Sequence, residues 1–98
     1  MKIEKDLTGS SAVVRIDGRI DSVTSPELKA ALDELPADIT DLTLDFKDVP
    51  YISSAGLRVL LTNHKKLMGS GSMKLINVSN EVMEVFEITG FNGVLNIA

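Results

Sequence analysis

The chain has no cysteine. That excludes disulfides, thiolate chemistry and cysteine-rich zinc sites, and it fits a reducing compartment. Basic residues are also scarce. Ten Lys and Arg stand against fourteen Asp and Glu, for a net charge of −4. Nucleic acids and anionic membranes are held by basic patches, so direct binding to either is not expected. The one basic pair, Lys65-Lys66, reads as part of a solvated helix face. No stretch approaches the roughly 20 apolar residues that span a bilayer. The opening "MKIEKDLTGSSAVV" lacks the apolar core of a signal peptide. A soluble cytoplasmic protein is the expectation.

What is present suits one domain over residues 1–98. A chain of this size buries roughly 60–70% of its unfolded surface. Its hydrophobic fraction of 44% is enough for one core without a metal or disulfide. No repeat, linker or low-complexity segment interrupts it.

Periodicity places the elements. Ala12, Val14 and Ile16 alternate with Val13, Arg15 and Asp17, which predicts a strand from Ala12 to Ile20. A preceding strand at 2–7, joined by the turn "TGSS", should pair with it antiparallel. "SPELKAALDELP" reads as a helix with Ser25 as N-cap and Pro26 at its first position. Leu28, Ala31, Leu32 and Leu35 form its buried stripe, and Pro36 ends it. "DLTLDFKDV" alternates as a strand over Leu42, Leu44 and Phe46. Leu57, Leu60, Leu61, Leu67 and Met68 then share a helix face that "GSGS" terminates. "MKLINV" is a strand with Met73, Leu75 and Asn77 on one side. Ser79 caps a third helix with Val82, Val85, Phe86 and Thr89 inward and Gly90 at its end, and "GVLNIA" closes as a short strand. The expected fold is α/β, ordered β-β-α-β-α-β-α-β. Its sheet should be mixed, with helices mainly on one face.

The stretch "DVPYISSAGLRVLL" raises the functional question. With Ser53 as N-cap, Ile52 and Leu57 could form a hydrophobic staple, while Gly56 leaves no capping box. Capping explains one serine. The second is followed by Ala55 and Gly56, although glycine in a helix costs roughly 1 kcal/mol relative to alanine. Small residues there would leave the helix N-terminus open, where N–H groups and the dipole favour an anion such as a phosphate on Ser54. The residues alone leave both readings open.

Enzymatic readings fail on spacing. "ISSAG" has Ile52 where a nucleophile elbow wants glycine. His64 stands ten residues beyond Ser54 on the same helix, about 15 Å away and out of triad reach. It has no partner at metal-ligand spacing and reads as a partly buried structural histidine. "MGSGSMK" lacks the G-K-[ST] ending of a P-loop and follows a helix, so it is a helix stop. "NVS" at 77–79 matches a glycosylation sequon that means little without a secretion signal. Asp21, after a strand and before a capped helix, reads either as a turn residue bonded to backbone or as part of a site.

Taken together, these segments resemble the anti-sigma factor antagonists, the bacterial single-domain STAS proteins. "GRID" (Gly18–Asp21) is similar to the family's G-E-[IL]-D. "LTLDFKDVPYISSAGLRVLL" is similar to its strand, Asp-Ser-[Ser/Thr]-Gly-Leu segment and helix. "VFEITGF" is similar to its phenylalanine-x-[Ile/Met]-[Thr/Ser]-Gly-Leu segment. The resemblance implies a non-enzymatic, cofactor-free module in transcription regulation. Such a module binds an anti-sigma factor that is also a serine kinase, is released when phosphorylated, and is restored by a PP2C-type phosphatase. It implies phosphorylation at Ser54, with Ser53 the alternative, and a partner surface of Asp21, Ser53, Ser54, Ala55 and Gly56. Ser53 replaces the family's aspartate and Ala55 its second hydroxyl. Asp21 aligns with the family aspartate near the phosphorylated serine. Two alternatives remain: partner switching in a non-sigma pathway such as secretion, and a STAS domain sensing a small molecule or nucleotide.

Overall fold

The computed structural model describes residues 1–98. Strand β1 (Lys2–Thr8) turns through Gly9 and Ser10 into β2 (Ser11–Asp17). Helix α1 (Ser25–Asp33), strand β3 (Asp41–Asp48), helix α2 (Ser54–Leu67), strand β4 (Ser72–Ile76), helix α3 (Asn80–Thr89), a 3₁₀ turn (Phe91–Gly93) and strand β5 (Asn96–Ile97) follow. The five strands lie in sequence order. β1 and β2 are antiparallel, and β2 through β5 are mutually parallel. Successive right-handed crossovers advancing in one direction put their helices on the same face of the sheet. The expected mixed sheet and element order are therefore observed.

Register explains the core. Val14 pairs with Leu44 and Leu44 with Leu75, while Ala12, Leu42 and Met73 form the parallel row below. All six are buried, and they meet Leu28 and Leu32 of α1, Leu57 and Leu60 of α2, and Val82 and Phe86 of α3. Phe46 and Phe86 meet at 6.5 Å between centroids, tilted by 50°. The intervening residues Arg15, Thr43 and Lys74 lie on the uncovered face.

Four local expectations need correction. β2 stops at Asp17: Gly18 takes φ +126°, and Ile20 forms only an isolated parallel bridge to Ile52. Asn77 is not a strand residue. It takes φ +57° just past β4 and donates its Nδ2 to Asp45 Oδ1 at 3.0 Å. Met68 and Thr89 are exposed because each ends its helix beyond the core's reach. The final strand contracts to two residues because Phe91–Gly93 wind into the 3₁₀ turn first.

The start of α1 also departs from expectation. Ser25 does not cap α1. Ser25 N–H already bonds to the Asp21 carbonyl at 2.8 Å, so helical winding begins at Asp21. Asp21 Oδ1 accepts from Val23 N–H and Thr24 N–H at 3.0 and 2.9 Å, and Thr24 Oγ1 accepts in return from Asp21 N–H at 2.9 Å. That is a reciprocal capping box with threonine in the usual Glu place. Pro26 has no N–H for the Ser22 carbonyl, so this first turn is separated from the regular helix.

Candidate functional site

β2 and β3 run parallel, so their ends open at the same edge of the sheet. Beyond them the two loops are laced together. Gly18 N–H bonds to the Asp48 carbonyl at 3.0 Å, Ile20 N–H to the Tyr51 carbonyl at 3.0 Å, and Ser53 N–H to the Ile20 carbonyl at 2.8 Å. Arg19 lies over the Tyr51 ring, 4.7 Å from its centroid. This lacing sets the Asp21 turn beside the start of α2. The structure thus brings Asp21, Ser53, Ser54, Ala55 and Gly56 to one place.

The two serines differ. Ser54 is the first residue of α2 and is exposed. Ser53 occupies the N-cap in an extended conformation, as expected, but its side chain makes no cap bond. Its Oγ is sealed from solvent without a hydrogen-bond partner. The first intrahelical bond runs from Leu57 N–H to the Ser53 carbonyl at 3.0 Å. The N–H groups of Ser54, Ala55 and Gly56 precede it, and no acidic residue stands in this first turn. At the other end of α2, Lys65 and Lys66 complement the negative pole of the dipole.

Gly56 corrects the expectation that small residues merely clear the helix end. A Cβ there would lie 2.5 Å from Ile20 Cγ2 and 2.7 Å from Ile52 Cγ1. The glycine is buried, and its missing side chain lets the bridged isoleucines pack under the helix. Ala55 is half-buried and faces a groove between α1 and α2.

Asp21 is occupied structurally. The Thr24 N–H holds its carboxyl below the usual carboxylate range; partial desolvation opposes this, while the Val23 N–H, the Thr24 hydroxyl and the Arg19 guanidinium reinforce it. Arg19 Nε stands 3.9 Å from Asp21 Oδ2. His64 is half-buried on α2, and its Nδ1 has no partner. No three His, Cys, Asp or Glu side chains are grouped to hold a metal. No helix is long and apolar enough to cross a membrane.

Residue patterns missed the Arg19–Tyr51 stack and Val23, an apolar residue 78% exposed on the Asp21 turn. The available signal was the arginine of "GRID", standing where the family motif carries glutamate.

The STAS domain model matches residues 2–98. The chain belongs to the STAS domain family. It is 36% identical over 86 residues to the anti-sigma-B factor antagonist of Bacillus subtilis (strain 168), covering 87% of this chain and 79% of that protein. Among solved structures, an anti-sigma factor antagonist from Mycobacterium paratuberculosis superposes with a TM-score of 0.88 at 24% identity, covering 98% of this chain and 83% of that one. SpoIIAA shares the fold in two forms. Its unphosphorylated form has a TM-score of 0.80 at 21% identity over 99% of this chain and 88% of that one. The phosphorylated form, from Bacillus, has 0.74 at 20% identity over 99% and 91%. The resemblance drawn from the three sequence segments is the family relationship found here.

Proposed function

We propose that this STAS protein is an anti-sigma factor antagonist that binds an anti-sigma factor serine kinase and is released by phosphorylation of Ser54. The carrying observation is Ser54 itself: an exposed hydroxyl at the head of α2, in a chain 36% identical to an anti-sigma-B factor antagonist. The sealed Oγ of Ser53 favours Ser54 over its neighbour as the kinase target.

Phosphorylation adds about −1.5 to −2 charges and three strong acceptor oxygens. The three leading N–H groups and the dipole of α2 favour such a group locally, so the fold persists. A partner surface fitted to a neutral hydroxyl, with Asp21 close by, meets added charge and a hydrated group it must strip. Binding is lost through repulsion and desolvation at the interface. A PP2C-type phosphatase would reset the switch. The protein acts by binding and carries out no chemistry itself.

Incubation with the cognate kinase and ATP tests this. Mass spectrometry should place one phosphate on Ser54. Ser54→Ala should stay bound to the kinase in ATP, and Ser54→Asp should bind at least about tenfold more weakly. Labelling on another residue, or undiminished binding by Ser54→Asp, would sink the proposal.

A further inference from the structure

Two polar residues lie in the buried interior, Ser25 and Asn63, at 5% and 7% exposure. They come from different helices, α1 and α2, and both line one groove of about 290 Å³ between those helices. Neither is satisfied by the protein. Ser25 Oγ makes no hydrogen bond, yet it is not sealed as Ser53 Oγ is. Asn63 donates only to the soft acceptor Met73 Sδ at 3.4 Å, and its amide oxygen is left for the groove. Asn63 occupies a core-facing position of α2, between Leu60 and Leu67, where helix periodicity calls for an apolar residue.

The walls between these polar points are apolar, with Leu32, Ala55 and Val59 contributing. The rim is cationic. Lys29, Arg58 and Lys66 border the groove against one acid, Asp33, a local balance of 3 − 1 = +2 on a protein of net charge −4. Lys29 Nζ is held by Asp33 at 2.7 Å, and Lys66 also acts on that carboxylate from farther away, while Arg58 stands apart from it. An apolar trough with a few convergent polar groups is how small-molecule sites are built, and this one is at the small end of their range.

We propose that the α1–α2 groove binds a small amphiphilic anion: a compact apolar body carrying one carboxylate or phosphate group. The body lies against Leu32 and Val59. The anionic head faces Arg58 and Lys66, and polar edges meet Ser25 Oγ and Asn63. The groove reaches Ala55, the residue after Ser54, and starts from the helix that the Asp21 box caps. A bound ligand therefore touches α2 one residue beyond Ser54 and α1 just past the Asp21 turn. The site is independent of the kinase reading, because it is tested on the protein alone.

Amide NMR titration of the full chain supplies the test. The probes are 8-anilinonaphthalene-1-sulfonate, an aromatic anion, and its uncharged analogue N-phenyl-1-naphthylamine. Saturable shifts should cluster on residues 25–33 and 55–66. Joint Arg58→Glu and Lys66→Glu substitution, at exposed positions and with the amide spectrum reporting that the fold persists, should weaken the anion at least about tenfold while changing the neutral probe little. Val59→Trp, which fills the trough, should abolish both, with the spectrum itself reporting that the fold persists. Displacement by phenylacetate or by phenyl phosphate distinguishes a carboxylate head from a phosphate head. Shifts confined to the open sheet face, equal binding of the anion to wild type and the charge-reversed protein, or displacement by neither competitor would overturn the assignment.

Discussion

At Gly56, two terms oppose each other. Alanine would gain roughly 1 kcal/mol of helix propensity. Its Cβ would also be driven within 2.5 Å of the buried Ile20 side chain. Overpacking costs typically about 1–3 kcal/mol, and the atoms met belong to Ile20 and Ile52, both enclosed in the core. Gly56→Ala is therefore expected to lower stability, read as a lower urea midpoint; an unchanged or raised midpoint would contradict the packing account. Asp21 makes a pH-dependent prediction. Its folded carboxyl titrates below the unfolded value of about 3.9. Its contribution is thus complete above about pH 4 and is lost as pH falls through the folded value. The Tm gap between wild type and Asp21→Ala should be wide at pH 7 and narrow below pH 4. A gap of constant width would contradict it. The sequence marked Asp21 as either a turn residue or a site residue; the capping box shows that the turn role is real and adjoins the serines.

Helix starts offer a comparison at the scale of elements. Ser79 and Ser53 both read as N-caps, and both have extended cap backbones. Only Ser79 makes the bond, accepting from Val82 N–H at 3.2 Å. Ser79→Ala should cost about 0.5–2 kcal/mol. Ser53→Ala should be neutral or stabilising, because it removes a buried hydroxyl that has no partner and would carry a penalty of about 1–3 kcal/mol. Chemical denaturation of the two variants side by side checks the contrast, and equal losses would refute it. The sequence could locate both caps, since residue type and the onset of 3.6-residue periodicity are local signals. It could not distinguish them. Whether a serine hydroxyl turns toward its own helix depends on what crowds it, and Ser53 is pinned by its N–H to the Ile20 carbonyl of another loop. The same reasoning explains the misplaced cap of α1. Ser-Pro is a strong local signal, but the box four residues earlier captures the helix start.

For the whole molecule, a switch requires that modification alter the surface and spare the core. Ser54 stands exposed outside the buried cluster, while Ile20, Ile52 and Gly56 beneath it are closed. Stoichiometric phosphorylation should therefore leave the far-UV spectrum unchanged and confine amide shifts to the Asp21 turn and the first turns of α2, while partner binding falls. Global loss of amide dispersion would mean that the phosphate acts by unfolding.

Alternating and helical hydrophobic periods determined the elements and their order, because burial on one face writes a repeat of two or 3.6 into the residues themselves. Three short segments in order likewise carry the family's signature. Three-dimensional packing alone establishes that Ser53 is sealed and Ser54 open, that Gly56 serves packing, and that Ser25 and Asn63 meet in one groove. Those facts depend on contacts between residues distant along the chain: Ile20 with Ile52, and α1 with α2. Such contacts arise from sheet register and helix packing, and they leave no period in the sequence to read.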